Sequence, residues 1–231
     1  MTPLGEPAQP FAAAKPLDGA FYPAMAAILV VAVAAGFAPT FFARGLFTAG
    51  PLPLPAFVHG VFGTAWVALF AAQTALAATG RLAWHRRSGW VTAAVAVAFV
   101  ASGLVVLVNL EQSHGAEPLA WRAPHVFTNL APLAAFAALV SAGIWRRASA
   151  AQHKRLMLLA AVVLLPPAIG RLFAALDLAQ LNLVAYAAFA FANAVFDWLV
   201  YGRPHAVSLA GAAALVAVDV TTTTWLAAVG S

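Results

Sequence analysis

The sequence predicts an all-α integral membrane protein of seven transmembrane helices, and three observations carry that reading. Of the 231 residues, 64% are hydrophobic and only 8% are charged, against about 25% charged in ordinary soluble domains. Uninterrupted apolar runs recur, each of about 20 residues, the length that crosses a hydrocarbon core of about 30 Å as a helix. Strict polar–apolar alternation is missing, so the period of a barrel strand is missing too. Mean hydropathy is +0.90. A bilayer hides that much apolar surface only if each spanning segment satisfies its own backbone, which a helix does.

Residues 1–18, rich in Pro and Ala, read as a mobile tail ahead of a single transmembrane domain over 19–231. Helices are expected at 20–42, 55–79, 88–110, 124–146, 155–175, 180–201 and 206–228. The segment from Arg44 to Pro55 holds Gly45, Gly50, Pro51, Pro53 and Pro55 and cannot continue a helix. Glu111 to Arg122 is a polar loop that includes His114, and Gly202-Arg203-Pro204-His205 separates the last two helices. Pro166-Pro167 is expected to kink the fifth helix. The first apolar run is longer than a secretory signal's core and starts after 18 residues, so no signal peptide is read there.

The net charge is +5, but its placement speaks for topology and against nucleic acid. With the N-terminus in the cytoplasm, Lys15, Arg81, Arg86, Arg87, Arg146, Arg147, Lys154, Arg155 and Arg203 lie inside. Arg44, Arg122 and Arg171 lie outside. Nine against three is a strong bias, and it places the C-terminus outside a bacterial cytoplasmic membrane. No cysteine is present, so thiolate metal sites and iron–sulfur clusters are excluded. Lysine occurs only at Lys15 and Lys154, which excludes a Schiff base on the seventh helix. No Walker loop, His-Glu-x-x-His motif or Gly-x-Ser-x-Gly elbow occurs.

An internal repeat points to chemistry. His59 opens helix two, and 26 residues later comes His85-Arg86-Arg87; His125 opens helix four, and 28 residues later comes His153-Lys154-Arg155. Each unit, about 55–110 and 124–176, is a His, a crossing, a His with two basic residues, and a crossing back, a parallel two-helix repeat. Twenty-six residues of helix rise about 39 Å, so the histidines pair by depth: His59 with His125 outside, His85 with His153 inside. The four-helix bundle of helices two to five would hold them. Gly89, Thr92, Ala96 and Gly103 follow His85 at helical spacing; Gly63, Trp66, Phe70 and Gln73 follow His59; Asn129, Pro132 and Phe136 follow His125. Small and aromatic residues beside a His leave room for a planar ligand. Arg171 lies five turns beyond His153, which returns it to the same face near the outer pair. There it would neutralise a cofactor carboxylate or pair with Asp177. Asp197 is expected to pair locally with Arg203, or to handle protons, and Asp219 lies mid-helix without an evident partner. His114 and His205 read as loop residues.

The order and spacing of His59, His85, His125 and His153, with Trp84-His85-Arg86-Arg87-Ser88-Gly89-Trp90, resemble the cytochrome b561 family over about residues 55–176. That resemblance implies two haem b groups, one held by His59 and His125 and the other by His85 and His153 as axial iron ligands. It implies a transmembrane oxidoreductase moving electrons to or from a quinone or a small reductant. The seventh helix departs from the family's six, and the histidines sit close to the helix ends. The segments His85-Arg86-Arg87-Ser88-Gly89 and His153-Lys154-Arg155-Leu156-Met157 also resemble a broad group of bacterial polytopic membrane proteins, which implies no activity. Two rivals remain: an accessory subunit without a cofactor that packs against membrane protein partners in the lipid bilayer, and a zinc- or copper-binding membrane protein using the same histidines.

Overall fold

The structure is a computed structural model describing Phe11 and residues 17–48 and 50–230. Most of the expected N-terminal tail lies outside the described residues. The chain is all-helical, with no strand among the described residues. Helix α1, Asp18–Phe37, runs into a π turn at Ala38–Phe42, and α2 is one turn, Arg44–Phe47. Then come α3 (Leu54–Ala78), α4 (Leu82–Ser113), α5 (Leu119–Trp145), α6 (Ala150–Val162), α7 (Pro166–Ala175), α8 (Asn182–Tyr201) and α9 (Ala206–Gly230). Six helices are long and apolar enough to cross a membrane, and α6 with α7 make a seventh if that pair, bent by 42°, counts as one span. This is a multi-pass helical membrane protein.

The breaks follow from local chemistry. Pro39 has no N–H, and the turn widens so that Ala43 N–H reaches the Ala38 carbonyl at 2.7 Å. After α3 the chain reverses in three residues. Gly80 takes φ +72°, Arg81 N–H returns to the Leu76 carbonyl at 2.9 Å, and Gly80 N–H to Ala77 at 3.1 Å, the double bond of a Schellman cap. Gly202, at φ +76°, closes α8 through one bond to Trp198, and Pro204 then prevents continuation. Between α6 and α7, Pro166 and Pro167 withhold two donors in succession.

Helix α6 is the axis. Leu158, Leu159, Ala160, Ala161 and Val162 are all buried, as are Val163, Leu165, Ala168 and Ile169 beyond the break. The α6–α7 segment packs on α1, α5, α8 and α9, while α3 lies against α1 and α4, and α4 against α5. The α6–α7 pair is thus enclosed by its neighbours rather than being one of four equal members of a bundle. Enclosure by protein is the setting in which an interrupted helix is tolerated within a membrane. The exposed rings of Trp84, Trp145 and Trp198 stand at the end that also carries Arg81, Arg86, Arg87, Arg146, Arg147, Lys154 and Arg203, here termed the basic end. Tryptophan at that level matches an interfacial belt.

Two glycines set the close approaches to the axis. A Cβ on Gly36 of α1 would lie 2.3 Å from the Ala168 carbonyl oxygen of α7, and one on Gly211 of α9 would lie 2.3 Å from Leu159 Cδ1. The first obstacle is backbone and cannot move alone; the second is the tip of a side chain. Gly36→Ala should therefore lower stability by about 1–3 kcal/mol and Gly211→Ala by less. Thermal midpoints of the detergent-solubilised variants test this, and a Gly36→Ala midpoint equal to wild type would show the α1–α7 contact to be looser than described.

Candidate functional site

His85 and His153 meet at the basic end. Their ring centres are 6.1 Å apart and nearly perpendicular. Each ring is held from behind by a backbone carbonyl: His85 Nδ1 is 3.2 Å from Gln73 O, and His153 Nδ1 is 2.8 Å from Gly143 O. A carbonyl only accepts, so His153 Nδ1 carries the proton and its Nε2 keeps a free lone pair; at His85 the Gln73 amide N, turned to satisfy its neighbours, also reaches Nδ1 at 2.6 Å. The Gln73 side chain in turn meets the Ser88 hydroxyl at 2.8 Å, fixing the end of α3 against the start of α4. A Cβ on Gly89, one turn after His85, would meet nothing within 4 Å. Arg86, Arg87, Arg146 and Arg147 flank the pair and are exposed.

At the opposite end no such meeting occurs between the other two histidines. His59 stacks on Phe99 at 4.4 Å, with Nδ1 3.2 Å from Ser102 Oγ. His125 stacks on Trp121 at 3.9 Å, with Nδ1 2.7 Å from the Trp121 carbonyl of its own helix. Among the described residues no ring contact or hydrogen bond joins His59 to His125. Arg171 also has different company from that expected. It donates to the Pro167 carbonyl at 2.7 Å and lies 4.6 Å from the Phe37 ring centre, rather than on Asp177.

A second cluster at the basic end ties the axis to its neighbours. Arg155 is fully buried on α6, and Asp197 is fully buried on α8. Arg155 Nε is 3.1 and 3.0 Å from the two Asp197 oxygens, and Nη2 also donates to Oδ1. Nη1 donates to the Ala151 carbonyl at 2.7 Å. The Asp197 carboxylate further accepts from Ser208 Oγ of α9 at 2.6 Å and from His205 N–H at 3.2 Å. Beside this pair Lys154 meets Asp18 of α1 at 2.7 Å, and Tyr201 OH donates to the same Asp18 oxygen at 2.7 Å. Phe11 covers the cluster, 4.9 Å from the Arg155 guanidinium and 5.7 Å from that of Arg203. The partner of Asp197 is therefore Arg155 and not Arg203. Arg203 follows the Gly202 turn and is exposed, so water can solvate it, whereas the buried Arg155 must be neutralised within the protein.

Comparison with family models, with curated proteins and with solved structures finds no match. What the chain can do must be read from these groups. The sequence reading missed the Arg155–Asp197 pair, although a signal existed. Asn182, Tyr186, Asn193, Asp197 and Tyr201 recur at helical spacing on α8, a polar face turned inward.

His205 reports on the cluster. Its Nδ1 accepts from Val207 N–H at 3.1 Å, which requires the neutral ring. Burial first, then Arg155, holds its pKa below the ordinary value; Arg203 and Lys154 add to this and Asp197 opposes it. The unfolded chain then takes up a proton at higher pH than the folded one, so stability falls as pH drops through the ordinary His range to the depressed folded value. Between about pH 8 and about pH 5, the thermal midpoint of wild type should fall more than that of His205→Gln. Equal slopes would remove His205 from the cluster's energetics.

Proposed function

We propose that this chain is a b-type haem electron-transfer protein of a bacterial cytoplasmic membrane, with seven crossings, its basic end and N-terminus in the cytoplasm and its C-terminus outside. The observation that carries the reading is the meeting of His85 and His153. Two imidazoles holding one metal ion through bonds of about 2 Å would have ring centres within about 6 Å of each other. The ring separation here is 6.1 Å. Tetrahedral ligation would bring the rings closer, and a zinc site needs further ligands. Among the described residues no group of three His, Cys, Asp or Glu side chains could hold a metal.

A haem supplies one-electron chemistry when bound. The chain's own groups would do the rest. The Gly143 carbonyl would fix the tautomer of His153 and make its Nε2 a better donor, and Gln73 would hold the His85 ring in orientation. The lack of a side chain at Gly89 leaves the approach to His85 open on that side, and Arg86, Arg87, Arg146 and Arg147 are the charges suited to carboxylates at the membrane surface. The reading narrows the two haems implied by the cytochrome b561 resemblance to one, because His59 and His125 rest against aromatic rings of other partners. Electron exchange would involve a quinone in the bilayer or a small reductant at the basic face.

Protein purified from haem-replete cells should give a pyridine haemochrome spectrum of b type, close to one haem per chain. His85→Ala and His153→Ala should each abolish it, while His59→Ala and His125→Ala should retain it. A colourless wild-type protein would overturn the reading and favour an accessory subunit; full haem in His85→Ala would displace the site.

A further inference from the structure

Polar residues line one face of α8 at both of its ends, Asn182 and Tyr186 at one and Asn193, Asp197 and Tyr201 at the other, more than packing against apolar neighbours requires. The contact of Arg155, Asp197 and Ser208 sets α6, α8 and α9 in register, so depth can be counted from it. Four residues further, about 6 Å away, Asn193 accepts from Tyr22 OH at 3.2 Å. Its Nδ2 has no partner among the described residues, although the residue is only 1% exposed. Eight residues along α6, about 12 Å from the ion pair, the helix breaks. There the carbonyls of Val163 and Leu164 accept no hydrogen bond among the described residues, since Pro166 and Pro167 offer none.

Eleven residues from the ion pair, about 17 Å along α8 and α9, stand Tyr186 and Asp219. Tyr186 is buried on α8 and Asp219 half-buried on α9, and the two helices pack against each other. Asp219 lies on the stripe of α9 that carries the buried Ser208 and Thr222. Its carboxyl has no hydrogen bond or ion pair among the described residues. Beyond it, Asn182 Oδ1 is buried without a partner among the described residues. Unsatisfied polar groups are costly inside a bilayer, yet here they recur along one line, separated by about a helical turn or two.

We propose that this seam, bounded by α8, α9 and the break in the axis, conducts protons across the membrane, with Asp219 as its relay carboxyl. The chemistry favours protons over metal cations. A hydrated cation would need several oxygens at one depth, while the line supplies one or two polar groups per turn. Protons instead pass by exchange along hydrogen bonds between water, phenol, amide and carboxyl, with no coordination shell needed at any one depth. No redox partner or haem is needed, so the proposal stands apart from the electron-transfer reading.

The test uses purified full-length protein in liposomes containing a pH-sensitive dye, with a potassium diffusion potential set by valinomycin. Wild type should acidify the lumen faster than protein-free liposomes. Asp219→Asn, nearly isosteric, should fall to the protein-free rate, Asp219→Glu should keep most of the flux, and Asn193→Leu should slow it. Elution profile and thermal midpoint establish that each variant is folded. A wild-type rate equal to that of protein-free liposomes overturns the proposal, and so does a folded Asp219→Asn that conducts like wild type.

Discussion

A guanidinium with no exposed surface, on the most enclosed helix of a membrane protein, constrains everything around it. Arg155 cannot be left unpaired in that setting, because an uncompensated buried charge costs several kcal/mol. Asp197 answers it from α8 with both oxygens, and the remaining capacity of that carboxylate is filled by Ser208 and the His205 amide. One side chain on α6 therefore fixes the positions of α8, the α8–α9 turn and the start of α9. The next residue back, Lys154, fixes α1 through Asp18.

Register then follows. His153 and Arg155 are two residues apart, about 200° around the helix, so a single turn of α6 presents a histidine to α4 and an arginine to α8. Locking Arg155 in place aims His153 at His85. It also sets the Pro166-Pro167 break at the depth between Asn193 and Tyr186, where the otherwise apolar stretch of α8 would interrupt the polar face. Both proposed activities thus depend on the same ion pair, although they use opposite sides of the axis. The phenyl ring of Phe11 over Arg155 and Arg203 closes the pair off from the basic face.

Much of this was legible in the sequence. Six of the seven expected segments coincide with single long helices and the fifth with the bent pair α6 and α7, because proline and glycine mark the connections and the one break. The helix faces read from the histidines were largely the buried ones: Trp66, Phe70 and Gln73 on α3, Thr92, Ala96 and Gly103 on α4, and Phe136 on α5 are all buried. The meeting of His85 with His153 followed from depth alone. Depth did not suffice for His59 and His125, because each had a nearer aromatic ring to stack on. The enclosed position of α6 was invisible for a different reason: in a membrane protein every helix is apolar on most sides, so composition does not separate the axis from its ring. The partner of Asp197 was misread because proximity in sequence favoured Arg203, while burial, which the sequence does not display, selected Arg155.

The central claim is that the Arg155–Asp197 pair holds the axis in register, and a double-mutant cycle on folding stability in detergent tests it most directly. Arg155→Met and Asp197→Leu should each destabilise the protein by about 3–5 kcal/mol, since each strands a buried charge, while the double variant should recover most of that loss. Losses that simply add in the double variant would mean that the two side chains do not depend on each other, and would contradict the account.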